Sequence, residues 1–188
     1  MKIVGIAGSI VGSKTKIAMD YAIDQMREKY PNAEVELIDL SAYNVVYSDG
    51  RSYMDYEGDT KYVTDTIMAA DALIIGTPTF QASIPGTLKN IFDLLPVNAF
   101  RGKVVSIVVT AGTSKHFLMV EQQLKPILAY MKATIVPTYV FIEEQDFHRK
   151  EIVNDDVHFR INRLVDDTVQ MIEVVKQIQK AKDDAYDF

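Results

Sequence analysis

Short apolar runs alternate with amphipathic stretches along the whole chain. The run KIVGIAG (2–8) has the unbroken apolar character of a strand covered on both faces of a parallel sheet. Met19, Ile23, Met26 and Tyr30 then recur at the spacing of one helix face, and Pro31 ends the stripe. EVELIDL (34–40) predicts a second strand, and residues 41–57, with four tyrosines and no period, read as a long surface loop. A helix over 58–70 leads to a third strand, DALIIGT (71–77). IPGTLKNIFDLL (84–95) is helical, with Pro85 in the first turn. GKVVSIVVTAGT (102–113) gives the fourth strand, followed by a helix over 115–132 that Pro126 bends. ATIVPTYVFI (133–142) is the fifth strand, and Pro137 inside it predicts a place at a sheet edge. Val157, Ile161, Leu164, Thr168, Ile172, Val175 and Ile178 mark a long final helix.

Five strands alternating with five helices predict an α/β fold, an open five-stranded parallel sheet with helices on both faces and right-handed crossovers. With 188 residues, and no repeat or linker, residues 1–188 read as a single domain. The composition, 48 % hydrophobic and 24 % charged, is that of an ordinary globular protein. A net charge of −6 without a basic stripe argues against nucleic acid as a partner. The absence of cysteine excludes disulfides, thiolate chemistry and thiolate-ligated metals, and it is compatible with a reducing cytosol. No apolar run approaches the ~18 residues of a membrane span. The opening MKIVGIAGSIVG has one positive charge and no A-x-A site, so a cytoplasmic protein is expected.

Three segments carry candidate chemistry. The first, GSIVGSKT (8–15), matches a triphosphate-binding P-loop except that Ser13 replaces the second glycine, and no strand supplies the aspartate that such a site uses for magnesium. Its glycines also miss the G-x-G-x-x-G dinucleotide spacing. What remains is a strand, a hydroxyl-rich turn and a helix N-terminus. Ser9, Ser13 and Thr15, with Lys14 or Lys16, suit a single monophosphate there. The competing reading is that Ser13 merely caps the helix. The second segment, GTPTFQASIPGTLKN (76–90), leaves the carboxyl end of strand three, where open α/β sheets bind ligands. Its Phe80 either offers a flat face to a heterocycle or belongs to the core. The third, TAGTSKH (110–116), has small residues that let backbone approach a ligand closely. One loop for phosphate and two for a ring describe a mononucleotide site.

These residues resemble the flavodoxin-like NAD(P)H-dependent FMN reductases over nearly the whole chain. GTPTFQASIPGTLKNIFDLLP is similar to that family's second flavin loop, a proline and an aromatic followed by G-x-L-K-N. FRGKVVSIVVTAGTSKHFLMVEQQLKPILAYMKA resembles the branch that supplies reduced FMN to sulfonate monooxygenases. The resemblance implies a flavodoxin-like sheet, with Ser9, Ser13, Lys14 and Thr15 holding the FMN phosphate. It implies that Pro78, Thr79, Phe80 and Gln81 border the isoalloxazine, and that Thr110, Ala111, Gly112 and Thr113 contact its other edge. NADPH or NADH would supply hydride. A flavin-dependent monooxygenase is an implied partner, and a homodimer or homotetramer the implied assembly. Two departures stand out. Val11 occupies the position of a family arginine, which weakens the phosphate site, and Gln122 replaces the branch's tyrosine, which predicts a more regular fourth helix and a flavin pocket less open to exchange.

Other residues carry no chemistry in this reading. His116, His148 and His158 lack metal-ligand spacing. The doublets Glu143–Glu144, Asp155–Asp156, Asp166–Asp167 and Asp183–Asp184 read as solvated faces. Lys89 reads as a lysine snorkelling from an amphipathic helix. No acid–base residue is assigned, because in a flavin reductase the cofactor carries the redox chemistry and the protein positions the reacting atoms. The alternatives are an FMN-bound quinone or azo reductase, a flavodoxin-like electron carrier, and a mononucleotide-binding domain without redox function.

Overall fold

The computed structural model of the chain describes residues 1–186. Strands β1 (Lys2–Ala7), β2 (Glu34–Asp39), β3 (Ala72–Pro78) and β4 (Val104–Ala111) form the sheet together with two short segments, β5 (Thr134–Ile135) and β6 (Val140–Glu143). The order is β2-β1-β3-β4-β5, all parallel, with β6 also paired to β4. The predicted fifth strand is therefore one position in the sheet filled by two pieces. Pro137 lies between them, where a residue without an N–H cannot serve the ladder.

Strands β1, β3 and β4 are buried on both faces, and their side chains alternate between two cores. On one face Val4, Ile6, Leu73, Ile75, Val105 and Ile107 meet helices α2 (Gly58–Ala69) and α3 (Gly86–Leu94) and the segment leading through α4 (Lys125–Tyr130). On the other face Ile3, Ala7, Ala72, Ile74, Val104 and Val108 meet α1 (Lys14–Lys29) and α5 (Asp155–Tyr186). The expected stripes supply these contacts: Met19, Ile23 and Met26 from α1, and Val157, Ile161 and Leu164 from α5. Thr168, the polar member of the α5 stripe, is fully buried and satisfied by Ser106 Oγ at 2.8 Å and Leu164 O at 2.6 Å. Gly76 lets α1 approach the sheet closely. A Cβ there would lie 2.3 Å from Met19 Cγ.

Three expectations need correction, and one element has no counterpart in the sequence pattern. Pro85 precedes α3 as its extended N-cap instead of lying in its first turn. The predicted helix over 115–132 is three pieces: a 3-10 turn (Ser114–His116), a π-helical turn (Val120–Leu124) and α4. Pro126 has no N–H for the Gln122 carbonyl, and the preceding turn widens so that Lys125 N–H bonds Val120 O. The regular packing expected from Gln122 is therefore absent. The stretch 41–57 is irregular but not a mere surface loop, because Tyr56 is buried and Asn90 of α3 pins the chain. Asn90 accepts from Ser48 N–H and donates to Val46 O, each at 2.9 Å. Finally, residues 147–152 form an antiparallel hairpin, β7 (Phe147–His148) and β8 (Glu151–Ile152), which the sequence pattern does not announce.

Candidate functional site

The three candidate loops all leave the carboxyl ends of central strands, and they meet. After β1, Gly8 N–H bonds Gly76 O at 2.8 Å, which zips the first loop to β3. Ser9 then closes a turn on itself, its hydroxyl bonded to both backbone groups of Val11. Gly12 takes φ +81°, a left-handed conformation natural to glycine, and redirects the chain into α1. Ser13 makes no side-chain capping hydrogen bond. The simple capping account of this serine therefore fails: its hydroxyl stands at a helix end whose first N–H groups have no intrahelical partners.

The first and third loops are joined from below. Thr15 and Thr110, both buried, share a hydrogen bond of 2.7 Å between their hydroxyls. One of the two must donate, which leaves the other's hydrogen for a further acceptor. The second and third loops are joined by Thr79 N–H to Thr110 O at 2.9 Å. Beyond Thr79 the chain makes a tight turn closed by paired Phe80–Ser83 backbone hydrogen bonds of 2.9 Å. Its central residues Gln81 and Ala82 have φ of +49° and +59° without being glycine. Two consecutive left-handed residues cost on the order of 1–3 kcal/mol each, a strain of the kind that collects at ligand sites. The turn holds Phe80 out at 41 % exposure, packed into neither core.

Between these loops lies a cleft of about 370 Å³. Of the predicted residues, Ser13, Lys14, Thr15, Pro78, Thr79, Phe80, Thr110, Ala111 and Gly112 line it. Ser9, Gln81 and Thr113 do not: Ser9 shapes its own loop, Gln81 is exposed on the turn, and the Thr113 side chain accepts from Lys115 N–H. Thr79 Oγ1 is fully buried with no hydrogen-bond partner among the described residues, an orphan donor and acceptor in the wall of the cleft.

One lining residue lies outside the three loops. Glu144 is exposed, as a solvated doublet predicts, yet it also reaches the cleft from the turn after β6 and forms an ion pair with Lys14. The Lys14 ammonium also lies 5.8 Å from the centroid of the Phe147 ring. The pairing of β6 with β4, which the sequence pattern does not resolve, brings Glu144 to the sheet edge where the loops meet. His158, by contrast, is structural. It bonds Ile152 O at 3.1 Å and packs edge-on against Tyr21.

Residues 1–147 match the family described as NADPH-dependent FMN reductase. The chain belongs to that family. This reductase is 39 % identical over 172 residues to an NAD(P)H-dependent FAD/FMN reductase of Geobacillus thermodenitrificans, spanning 91 % of this chain and 93 % of the relative. It is 32 % identical over 167 residues to an NADPH-dependent FMN reductase of Escherichia coli, covering 86 % and 85 % of the two chains. Among solved structures, the apo form of an NADH:FMN oxidoreductase (EmoB) superposes with a TM-score of 0.72 at 27 % identity, covering 88 % of this chain and 86 % of that one. The flavodoxin-like fold, the flavin and nicotinamide cofactors and the oxidoreductase class expected from the resemblance are thereby borne out.

The cleft of the reductase fits the group the family uses. Its first loop presents a helix N-terminus without a side-chain cap and with free hydroxyl capacity, which suits a phosphate group. Its other end is apolar and aromatic, bordered by Pro78, Phe80 and Ala111.

Proposed function

We propose that the cleft at the ends of β1, β3 and β4 is the FMN site, and that the enzyme passes hydride from NADPH or NADH to FMN there. The observation that carries this reading is the polarity gradient of the cleft. A helix N-terminus with Ser13, Lys14 and Thr15 stands at one end, and Pro78, Thr79, Phe80 and Thr110 to Gly112 at the other. Bound FMN supplies a ring that accepts hydride from a nicotinamide. The protein's part is binding and orientation. The N–H groups opening α1 and the Ser13 and Thr15 hydroxyls hold the phosphate, and Lys14 adds charge. Among the described residues lining the cleft, Lys14 and Glu144 carry charge, and they pair at the phosphate end.

Reduced flavin then leaves to a flavin-dependent monooxygenase or another acceptor. The open cleft and the single compensated cation at its phosphate end support release. A homodimer or homotetramer fits the exposed apolar residues around the cleft, Ile10, Val11 and Phe80 among them. No helix among the described residues is long and apolar enough to cross a membrane. A cytoplasmic setting fits the need for reduced nicotinamide. The test is NADPH and NADH oxidation with and without added FMN, beside equilibrium binding of FMN and riboflavin. The reading requires FMN-dependent oxidation and a clear preference for FMN over riboflavin. Equal affinity for the two would remove the phosphate assignment, and tight binding without turnover would leave an electron carrier.

A further inference from the structure

The Glu144 carboxylate lies where a phosphate-binding cation should be free. It is held there by a built turn. Glu143 N–H donates to Asp146 Oδ2 at 2.8 Å, Asn154 Nδ2 donates to Asp146 Oδ1 at 2.7 Å, and Asp146 is itself nearly buried. This clamp fixes the backbone on either side of Glu144, while the Glu144 side chain remains 64 % exposed and free to swing. Its partner Lys14 is, among the described residues, the one cation lining the cleft.

We propose that Glu144 is a built-in competitor of the flavin phosphate, an internal anion that occupies Lys14 until FMN displaces it and that sets the affinity for phosphorylated flavin. The proposal rests on the assignment of the first loop to the FMN phosphate. In the free protein the carboxylate neutralises Lys14. When a phosphate settles on the α1 N-terminus, Lys14 turns to it, and Glu144 either withdraws into solvent or remains as a like charge beside the dianion. Both outcomes weaken binding of FMN and neither touches riboflavin, which has no phosphate. Because the carboxylate returns to Lys14 as the phosphate leaves, it also favours departure. This makes Glu144 a specificity-determining residue: it lowers the preference for FMN over unphosphorylated flavin that the helix terminus would otherwise give, and it keeps the flavin exchangeable.

The test is equilibrium binding of FMN and of riboflavin, followed by quenching of flavin fluorescence, in the wild type, Glu144→Gln and Lys14→Met/Glu144→Gln. Releasing a half-exposed ion pair and removing a like charge should tighten FMN binding by about three- to tenfold in Glu144→Gln. Riboflavin binding should stay within about twofold, the scatter of such measurements on a group it does not meet. The double variant should lose that gain, since Lys14 is then no longer present to be released. FMN binding that is unchanged or weaker in Glu144→Gln overturns the proposal. Loosening of both flavins would instead make Glu144 a direct ligand of the part they share, which also overturns it. If the wild type already binds FMN and riboflavin equally, the phosphate assignment itself fails, a result separable from any effect of Glu144.

Discussion

Replacing Phe80 by alanine separates ring recognition from folding, because the structure places this side chain outside both cores while it lines the cleft. A phenylalanine side chain offers on the order of 200 Å² of apolar surface. At 41 % exposure about 80 Å² remains for a ligand to cover, worth at most ~2 kcal/mol at ~25 cal/mol per Å². Full coverage by the flavin ring therefore corresponds to a loss of up to about 30-fold in affinity on truncation. The turn that carries Phe80 is closed by backbone hydrogen bonds, which alanine retains. Stability should fall by less than about 1 kcal/mol, equivalent to a few degrees in Tm for a chain of this size.

The assay is a pair of fluorescence titrations with FMN and riboflavin, beside a thermal melt of the ligand-free variant. With Phe80 serving the ring as proposed, both flavins should weaken by the same factor. A loss confined to FMN would place the phosphate at this end and reverse the orientation proposed here. A large drop in Tm with normal affinity in the folded fraction would make Phe80 a structural residue.

Gly76→Ala should destabilise by about 1–3 kcal/mol, because the new methyl meets buried Met19 and must lift α1 from the sheet; urea unfolding measures the cost, and FMN affinity should fall with it as the α1 N-terminus shifts. Asn90→Ala removes two backbone contacts at ~1 kcal/mol each and should release the 43–56 segment; faster hydrogen exchange at Ser48, with the β-strand amides still protected, checks this. The Asp71 carboxyl is pushed up by burial but more strongly pulled down by the Lys2 N–H at 2.8 Å and the Lys176 charge, so its pKa lies below the ordinary value. A carboxyl depressed on folding stabilises above its unfolded pKa and loses that contribution as pH falls through the folded one, so Asp71→Asn should cost under ~1 kcal/mol at pH 7, given its exposure, and progressively less as pH falls through that lowered value; chemical denaturation across the acidic range decides it.

The sheet was legible because central parallel strands are apolar on both faces, a signal that survives without tertiary context, and because α1 and α5 carry regular stripes. The failures have local causes. The 115–132 segment has helical periodicity, but periodicity does not register a missing N–H, and Pro126 converts the turn before it to π geometry. Loop 41–57 has no period because its order comes from single side chains of α2 and α3, Thr60 and Asn90 among them. In the site, Ser13, Thr15 and Phe80 could be named because each follows a strand end whose position in the sheet is predictable. Glu144 could not, since a charged doublet after an edge strand looks the same whether it faces water or a cation 130 residues earlier. Ser9 and Thr113 carry the right chemistry in the right loops, yet their hydroxyls are engaged by their own backbones.

In the proposed site, retention of the flavin follows from the balance of charge at the α1 N-terminus. The sequence posed two opposed terms: Val11 in place of an arginine favours weak binding, and a regular fourth helix at Gln122 would favour a closed pocket. The second term is removed by the π-helical turn at Val120–Leu124, which is present without the tyrosine. The first is reinforced, because Val11 is 66 % exposed and Lys14 is engaged by Glu144. In the proposed site the phosphate is held by a helix terminus and neutral hydroxyls, with a lysine that must first leave its carboxylate. Dissociation of FMN in the ~0.1–10 μM range, about −7 to −9.5 kcal/mol, matches such a site. Protein loaded with FMN and passed through gel filtration below that concentration should lose most of its flavin, read as the ratio of visible to ultraviolet absorbance. A ratio that stays at one flavin per chain through dilution well below micromolar would refute this balance. The enzyme would then be one that keeps FMN as a prosthetic group, delivering electrons to a quinone or azo compound at the cleft instead of releasing reduced flavin to a partner.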